Sequence, residues 1–541
     1  MTDVSLMFEV HQPLRLNRNF KSDLLARPLV RKRDLFNLYF YHDLNRHVFE
    51  RAARKCYFPA NSAILEQIDR FKRDRRQFKV AYGLSGVFLE QCERWNPSLL
   101  DSFKQLSDTG CVEFLDETYY HSLAGLYDSE RSEFTEQLRL HRQLVKDLFN
   151  YEPRVVANTE CIYNNAIAET VGALGYEAIV TEGVERILDW RSPNCVYKAK
   201  GSNLRVLLRN YHLSDDIGFR FSSHWWEEWP LTAEKYASWL AATPGQVINI
   251  FLDYETFGEH HWPETGIHEF LRWLPGEILK WDHLQFCTPS EVVHRHSPVG
   301  ELDVHEFSTI SWADLERDTS AWIANSLQVA CYNILKKLEP LVKQTGDPEL
   351  MRLWRYLQVS DHLYYMSTKG GGPGDVHNYF NPYGNPTEAF ATYFGILANF
   401  EAAVLRELEK PRHVATRILR KVPAGKGFTF AYAVKKPTKW TVHSLEEFYS
   451  IVNIVNLKSV RFHAKRKDFE KWIRWVIGDD KLAGQLATAT KGKTTGNIRE
   501  EILSLVGQRI KELESATRAS DKVREASTLQ QNDRKMHLVH P

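Results

Sequence analysis

The spacing of apolar positions changes character along the chain. Up to about residue 300, short runs rich in β-branched and aromatic residues alternate with stretches whose apolar residues recur at helical spacing. The runs VSLMFEV (4–10), FKVAYGL (78–84), CVEFLD (111–116), RVVANT (154–159), EAIVTE (177–182), LRVLLR (204–209), VINIFLD (247–253) and LQFCT (284–288) are expected to be strands. RSEFTEQLRLHRQLVKDLF, at 131–149, is representative of the helical stretches between them. Strand, helix and strand repeated in this way imply an α/β fold with a parallel sheet covered on both faces. The most economical version is a βα barrel of seven or eight strands.

From about 305 to 410 the pattern becomes helical, interrupted by the Gly- and Pro-rich loop STKGGGPGDVHNYFNPYGNP at 367–386. A loop of that length inside a compact region usually carries function. The following VPAGKGFTFAYAVKKPTKW reads as a hinge or linker. Beyond it, SLEEFYSIVNIV and DFEKWIRWVIGDDKLAGQLA read as helices of a small, mainly α domain, in which Phe469, Trp472, Ile473, Val476 and Ile477 form one apolar face suited to a core. These changes divide the chain into a barrel over 1–300, a helical region completing the active site over 301–420, a linker over 421–440, a small basic domain over 441–515 and a polar tail, expected to be frayed, over 516–541.

Charge sharpens this division. From Pro411 onward there are 26 Lys and Arg against 13 Asp and Glu, leaving 44 against 56 for the residues before it. A basic C-terminal region implies an acidic partner or intramolecular docking on the acidic part of the chain. No RNP signature, zinc finger or helix-turn-helix pattern accompanies it, so a nucleic-acid partner is not expected. The first residues lack the features of a secretory signal, and no apolar run is long enough to span a membrane, so a cytoplasmic protein without a membrane partner is expected. The seven cysteines are widely spaced without a CxxC pair, which gives no reason to expect a structural metal or a redox centre.

In a parallel βα barrel, reactive groups collect where strands end. The first predicted strand ends in His11, Gln12 and Pro13; the third leads to Glu117 and His121; the fourth ends in Asn158, Thr159 and Glu160; the seventh ends in Asp253 and Glu255. Two carboxylates from different strands are what glycoside hydrolysis requires. Aromatic side chains able to stack on sugar faces, among them Trp225, Trp226, Trp229, Trp262, Trp312 and the Tyr119/Tyr120 pair, belong to an unusually large set of 15 tryptophans. Taken singly, each feature also has a structural explanation. Asp253 could cap a helix, His11 could be a satisfied interior histidine, and any one Trp could be core. His260 and His261 are adjacent, which is poor spacing for a metal pair. Their coincidence at successive strand ends is the stronger argument.

Six blocks in order, HQP (11–13), ETYYHSLAGLY (117–127), NTECIYNN (158–165), FLDYETFGEHHWPE (251–264), SWADLERDTSAWIAN (311–325) and LQVSDHLYYMSTKGG (357–371), resemble glycoside hydrolase family 57, in its α-amylase-like branch. The resemblance implies an incomplete seven-stranded (β/α) barrel followed by a helical region. It also implies cleavage or transfer of α-1,4-glucans with retention, without a cofactor or metal, on a polysaccharide or maltooligosaccharide substrate. On that resemblance Glu160 is the nucleophile and Asp253 the acid/base. His11, His121, Glu255, His260, Trp262, Trp312, Asp361 and Tyr364 are then expected to contact the sugar. A small appended domain resembling one of unknown function rests on VRFHAKRKDFEKWIRWVIGDDKLA.

Overall fold

The computed structural model describes all residues except 27–29, 129, 370–380, 491–497 and 537–541, so most of the Gly- and Pro-rich loop expected to be functional lies outside the described residues. The chain divides into two compact units, Met1–Glu401 and Ala402–Pro541.

All eight expected strands form. They are β1 (Thr2–Val10), β2 (Val80–Leu84), β3 (Val112–Leu115), β4 (Val155–Ala157), β5 (Ala178–Glu182), β7 (Arg205–Arg209), β8 (Val247–Asp253) and β9 (Leu284–Phe286), with short β6 (Tyr197–Ala199) and β10 (Glu301–Leu302) added. Seven run parallel around a nearly closed barrel in the order β1, β2, β3, β4, β5, β7, β8 and back to β1. The β1–β8 ladder is the longest, from Asp3 opposite Val247 to Glu9 opposite Asp253. Two contacts are thin. Between β3 and β4 a single bridge joins Asp116 to Val156, and between β7 and β8 only Arg209 stands opposite Asn249. Side chains stitch the second seam: Asn249 Nδ2 donates to Leu208 O at 3.0 Å and Arg209 Nε to Phe251 O at 2.6 Å.

The strands read as continuous apolar runs because both of their faces are buried. Leu6, Phe8, Val80, Tyr82, Phe114, Ile248, Ile250 and Leu252 face the surrounding helices. The alternate residues Met7, Ala81, Leu115, Ala157, Val180, Leu207 and Phe251 fill the barrel interior. The two-residue period then sets which side chains stand above this apolar layer: Glu9 and His11 continue the Met7 face, Glu117 continues Leu115, and Asp253 continues Phe251. Beyond the barrel come the helices Ser326–Thr345, Pro348–Tyr356 and Ser360–Tyr364. No helix of the described residues is long and apolar enough to cross a membrane.

The second unit corrects two expectations. The stretch 421–440, expected to be a linker, contributes to an antiparallel hairpin, β11 (Phe428–Ala433) and β12 (Lys436–Val442). Alternation in FTFAYA buries Phe428 and Phe430 against Phe448, Phe469 and Trp472, while the Gly, Pro and Lys residues around it form the hairpin's exposed edge and turn. The helix Ile498–Met536 continues through most of the tail expected to be frayed. Its polarity disfavours burial, but it is rich in Ala, Glu, Lys, Arg and Gln, which favour helix. Phe469, Trp472, Ile473 and Ile477 are core residues, as their spacing predicts.

Candidate active site

Ten residues wall one cavity at the strand ends: Glu9, His11, Pro13, His121, Glu160, Asp253, Glu255, His260, Trp312 and Asp361. Eight of them are site residues expected from the sequence, and a ninth, Pro13, stands in its HQP block. Glu160 follows β4 and occupies the left-handed region, with φ of 59°. Such a backbone is strained for a glutamate and persists only where its surroundings over-determine it. Here Cys161 N donates to Asn158 O at 2.8 Å, Trp312 N donates to Glu160 O at 3.2 Å, and Thr181 Oγ1 donates to Cys161 O at 2.7 Å. The Glu160 carboxylate accepts from Trp312 Nε1 at 2.7 Å on one oxygen and from Ser360 Oγ at 2.9 Å on the other.

Two stacked imidazoles, His11 and His121, lie beside it with ring centroids 3.9 Å apart. Their surroundings polarise them oppositely. Burial and the neighbouring His121 push His11 below the usual histidine range. Burial opposes a charge on His121 as well, but the hydrogen bond to Glu117 and the nearby Glu160 carboxylate outweigh it and hold this ring well above the usual range. His121 Nδ1 lies 3.0 Å from Glu117 Oε2, and Nε2 lies 3.6 Å from Glu160 Oε1. His11 spans Ser85 Oγ at 2.7 Å and Asp361 Oδ2 at 3.3 Å, which ties the first strand to the helical region.

Asp253 ends β8 and is partly exposed at the cavity, whereas Glu255, two residues on, is buried. Tyr57 OH and Gln12 Nε2 donate to one Glu255 oxygen. Burial, and then the charge of Asp253, push the Glu255 carboxyl up to about 8. An unfolded glutamate titrates near 4.3 or so, so the raised folded value means that stability is complete below that pH and is lost as the pH climbs to about 8. Glu255→Gln keeps an acceptor for Tyr57 and cannot titrate. Its melting temperature is therefore expected to fall less steeply than that of the unaltered protein across this window. Parallel slopes in thermal melts of the two proteins would refute the assignment.

Glu9 is the wall residue that sequence reasoning missed. It is buried in β1 beside Glu117 and His121, and burial followed by the Glu117 charge pushes its carboxyl well up. A single acid inside the apolar run VSLMFEV was the available signal. Gly83 on β2 makes room for it, since a Cβ there would meet Glu9 Oε2 at 2.9 Å. Glu9, Glu117 and His121 form the one group of metal-ligand type among the described residues, with ligand atoms within 4.8 Å of one another.

Two expected contacts stand apart from the cavity wall. Trp262 is 52% exposed, with Lys55 Nζ 4.7 Å from its ring centroid. Tyr364 is buried and its hydroxyl donates to Asp314 Oδ1 at 3.2 Å. The remaining polar residues of FGEHHW have structural partners: Glu259 takes two hydrogen bonds from Arg51, and His261 bonds Ser222 and the carbonyls of Ile217 and Gly218. Gly258, just before them, has φ of 137° and leaves no space for a Cβ, which would lie 2.1 Å from Lys55 O.

Residues 5–305 match the sequence profile of Glycosyl hydrolase family 57. A "Putative alpha-amylase" of Methanocaldococcus jannaschii is 48% identical over 415 residues, spanning 75% of this chain and 86% of that protein. The chain belongs to glycosyl hydrolase family 57. As a family-57 enzyme it also resembles solved branching enzymes of that family. That of Thermococcus kodakaraensis has a TM-score of 0.53 and 13% identity, covering 75% of this chain and 91% of that one. That of Pyrococcus horikoshii has a TM-score of 0.52 and 14% identity, covering 77% and 91%. At such identities the likeness concerns the fold alone, and it agrees with the seven-stranded barrel of this family-57 chain.

Proposed function

We propose that this protein is a retaining glycoside hydrolase acting on α-1,4-glucans, with Glu160 as nucleophile and Asp253 as acid/base. The observation that carries the reading is a pair of carboxylates, from the ends of β4 and β8, opening on one cavity. One of them is fixed by two hydrogen-bond donors and the other is partly exposed. The name carried by the 48% identical relative agrees with the substrate class.

In the mechanism, a Glu160 oxygen attacks the anomeric carbon as the bond to the leaving oxygen breaks, and Asp253 gives that oxygen its proton. Water then attacks the glycosyl–Glu160 ester while Asp253 takes the proton back, which restores both groups and retains the configuration. Donors already aimed at Glu160 need no reorganisation during the reaction. Asp361 and His11 are suited to bonding sugar hydroxyls.

The test is incubation with maltoheptaose, with and without EDTA, and separation of products by length. Shorter, α-configured products formed equally in EDTA are expected. Longer products would make the protein a 4-α-glucanotransferase on the same site, loss of activity in EDTA would implicate a metal, and no turnover on any α-glucan would overturn the reading.

A further inference from the structure

Trp312 hydrogen-bonds Glu160 from a loop that is itself anchored by buried charge. Residues 310–318 fold back on themselves: Ile310 pairs with Asp318, Ser311 N donates to Arg317 O at 3.2 Å, and Ser311 Oγ donates to Asp318 O at 2.6 Å. At one end of the loop, the Trp312 indole reaches Glu160 Oε2 at 2.7 Å. At the other, Arg317, only 8% exposed, passes between two acids at the barrel rim. It donates to Glu182 Oε2 at 3.0 Å and to Asp215 Oδ2 at 3.4 Å.

The same two acids hold Arg209, at 2.9 Å and 2.5 Å, and the Arg209 guanidinium lies 5.7 Å from the centroid of the Trp312 ring. Phe251 packs on that ring at 5.3 Å. Two cations and two anions thus alternate in one cluster, of which Arg209 lies against the indole. Such a cluster is a poor source of net stability, because desolvating four charges offsets most of their attraction. What a bidentate, two-acid arrangement does supply is a fixed geometry, which a lysine cannot fully reproduce.

We propose that Arg317 is a positioning residue, which acts through the Glu182–Asp215–Arg209 cluster to hold the Trp312 indole N–H on the Glu160 carboxylate. The proposal rests on Glu160 being the nucleophile. Arg317 touches neither substrate nor reacting atoms, so its effect should be on kcat, and it should vanish when Trp312 can no longer donate.

The experiment is a double-substitution cycle on maltoheptaose with the full chain: Trp312→Phe, Arg317→Met, both together, and Arg317→Lys. Arg317→Met is expected to lower kcat about 10- to 100-fold, the scale of a small misplacement in a catalytic group, with KM changed less than about threefold. Arg317→Lys should recover part of this loss. In the Trp312→Phe background, Arg317→Met should cost almost nothing more. Equal losses in both backgrounds would mean a merely structural ion pair and overturn the proposal, as would an Arg317→Met enzyme with unchanged kcat. If Arg317→Met does not fold, Arg317→Lys carries the same cycle with the same two outcomes. Absence of turnover in the unaltered protein would instead count against the functional reading itself.

Discussion

Replacing Glu160 by glutamine is expected to lower kcat on maltoheptaose by roughly 10⁴- to 10⁶-fold, the scale of loss when a covalent nucleophile is removed. An amide oxygen cannot form and release the glycosyl ester, so the loss is chemical. The fold should tolerate the change. With its amide oxygen on Trp312 Nε1, which lies 2.7 Å from the present carboxylate, the glutamine NH₂ faces Ser360, whose hydroxyl can turn from donor to acceptor, and His121 Nε2, 3.6 Å from the same position, which gives up its proton more readily once the Glu160 charge is gone. The left-handed backbone at residue 160 is held by main-chain bonds and by Thr181, none of which involves the carboxylate. A melting temperature close to that of the unaltered protein, together with lost turnover, is the expected pair of results. A folded Glu160→Gln protein with more than about a tenth of the original kcat would remove Glu160 from the mechanism.

The barrel is legible in the sequence because its strands are buried on both faces, so that seven of them stand out as apolar runs in a polar surround. Their ends are legible for the same reason: where VINIFLD or RVVANT stops, the next inward residue faces the cavity. The hairpin Phe428–Val442 is not, because only Phe428, Phe430 and Val442 of its apolar residues are buried, and the Gly before it with its own Pro and Lys residues match a linker. Nor are the helpers of the site. Ser85 meets His11, Ser360 meets Glu160, and Arg317 meets Glu182 across separations of 74, 200 and 135 residues, and no local pattern marks such pairs. Trp312 reads as a sugar platform, yet its indole N–H is spent on Glu160, a distinction set by side-chain direction. Trp262, expected beside the sugar, is half exposed and outside the cavity wall.

Asp253→Asn is expected to separate the two halves of the mechanism. A sugar hydroxyl leaves poorly without a proton, so turnover of maltoheptaose should fall by about 10²- to 10⁴-fold. Fluoride leaves without one. With α-maltotriosyl fluoride the first step should therefore survive, while the second, lacking a base to activate water, slows. The glycosyl enzyme on Glu160 should then accumulate and release a burst of fluoride equal to the enzyme present. Azide, which needs no base, should speed the steady state by carrying off the sugar as an α-azide. The competing candidate for this role is Glu255, two residues on, whose carboxyl stays protonated up to about pH 8. Glu255 is buried and bonded to Tyr57 and Gln12, whereas Asp253 is partly open to the cavity, and an acid that must meet a leaving oxygen needs that access. If Asp253→Asn slowed the fluoride and maltoheptaose alike, with no burst and no effect of azide, Asp253 would be a substrate-holding residue. The proton would then have to come from Glu255, and Glu255→Gln would show the leaving-group dependence in its place.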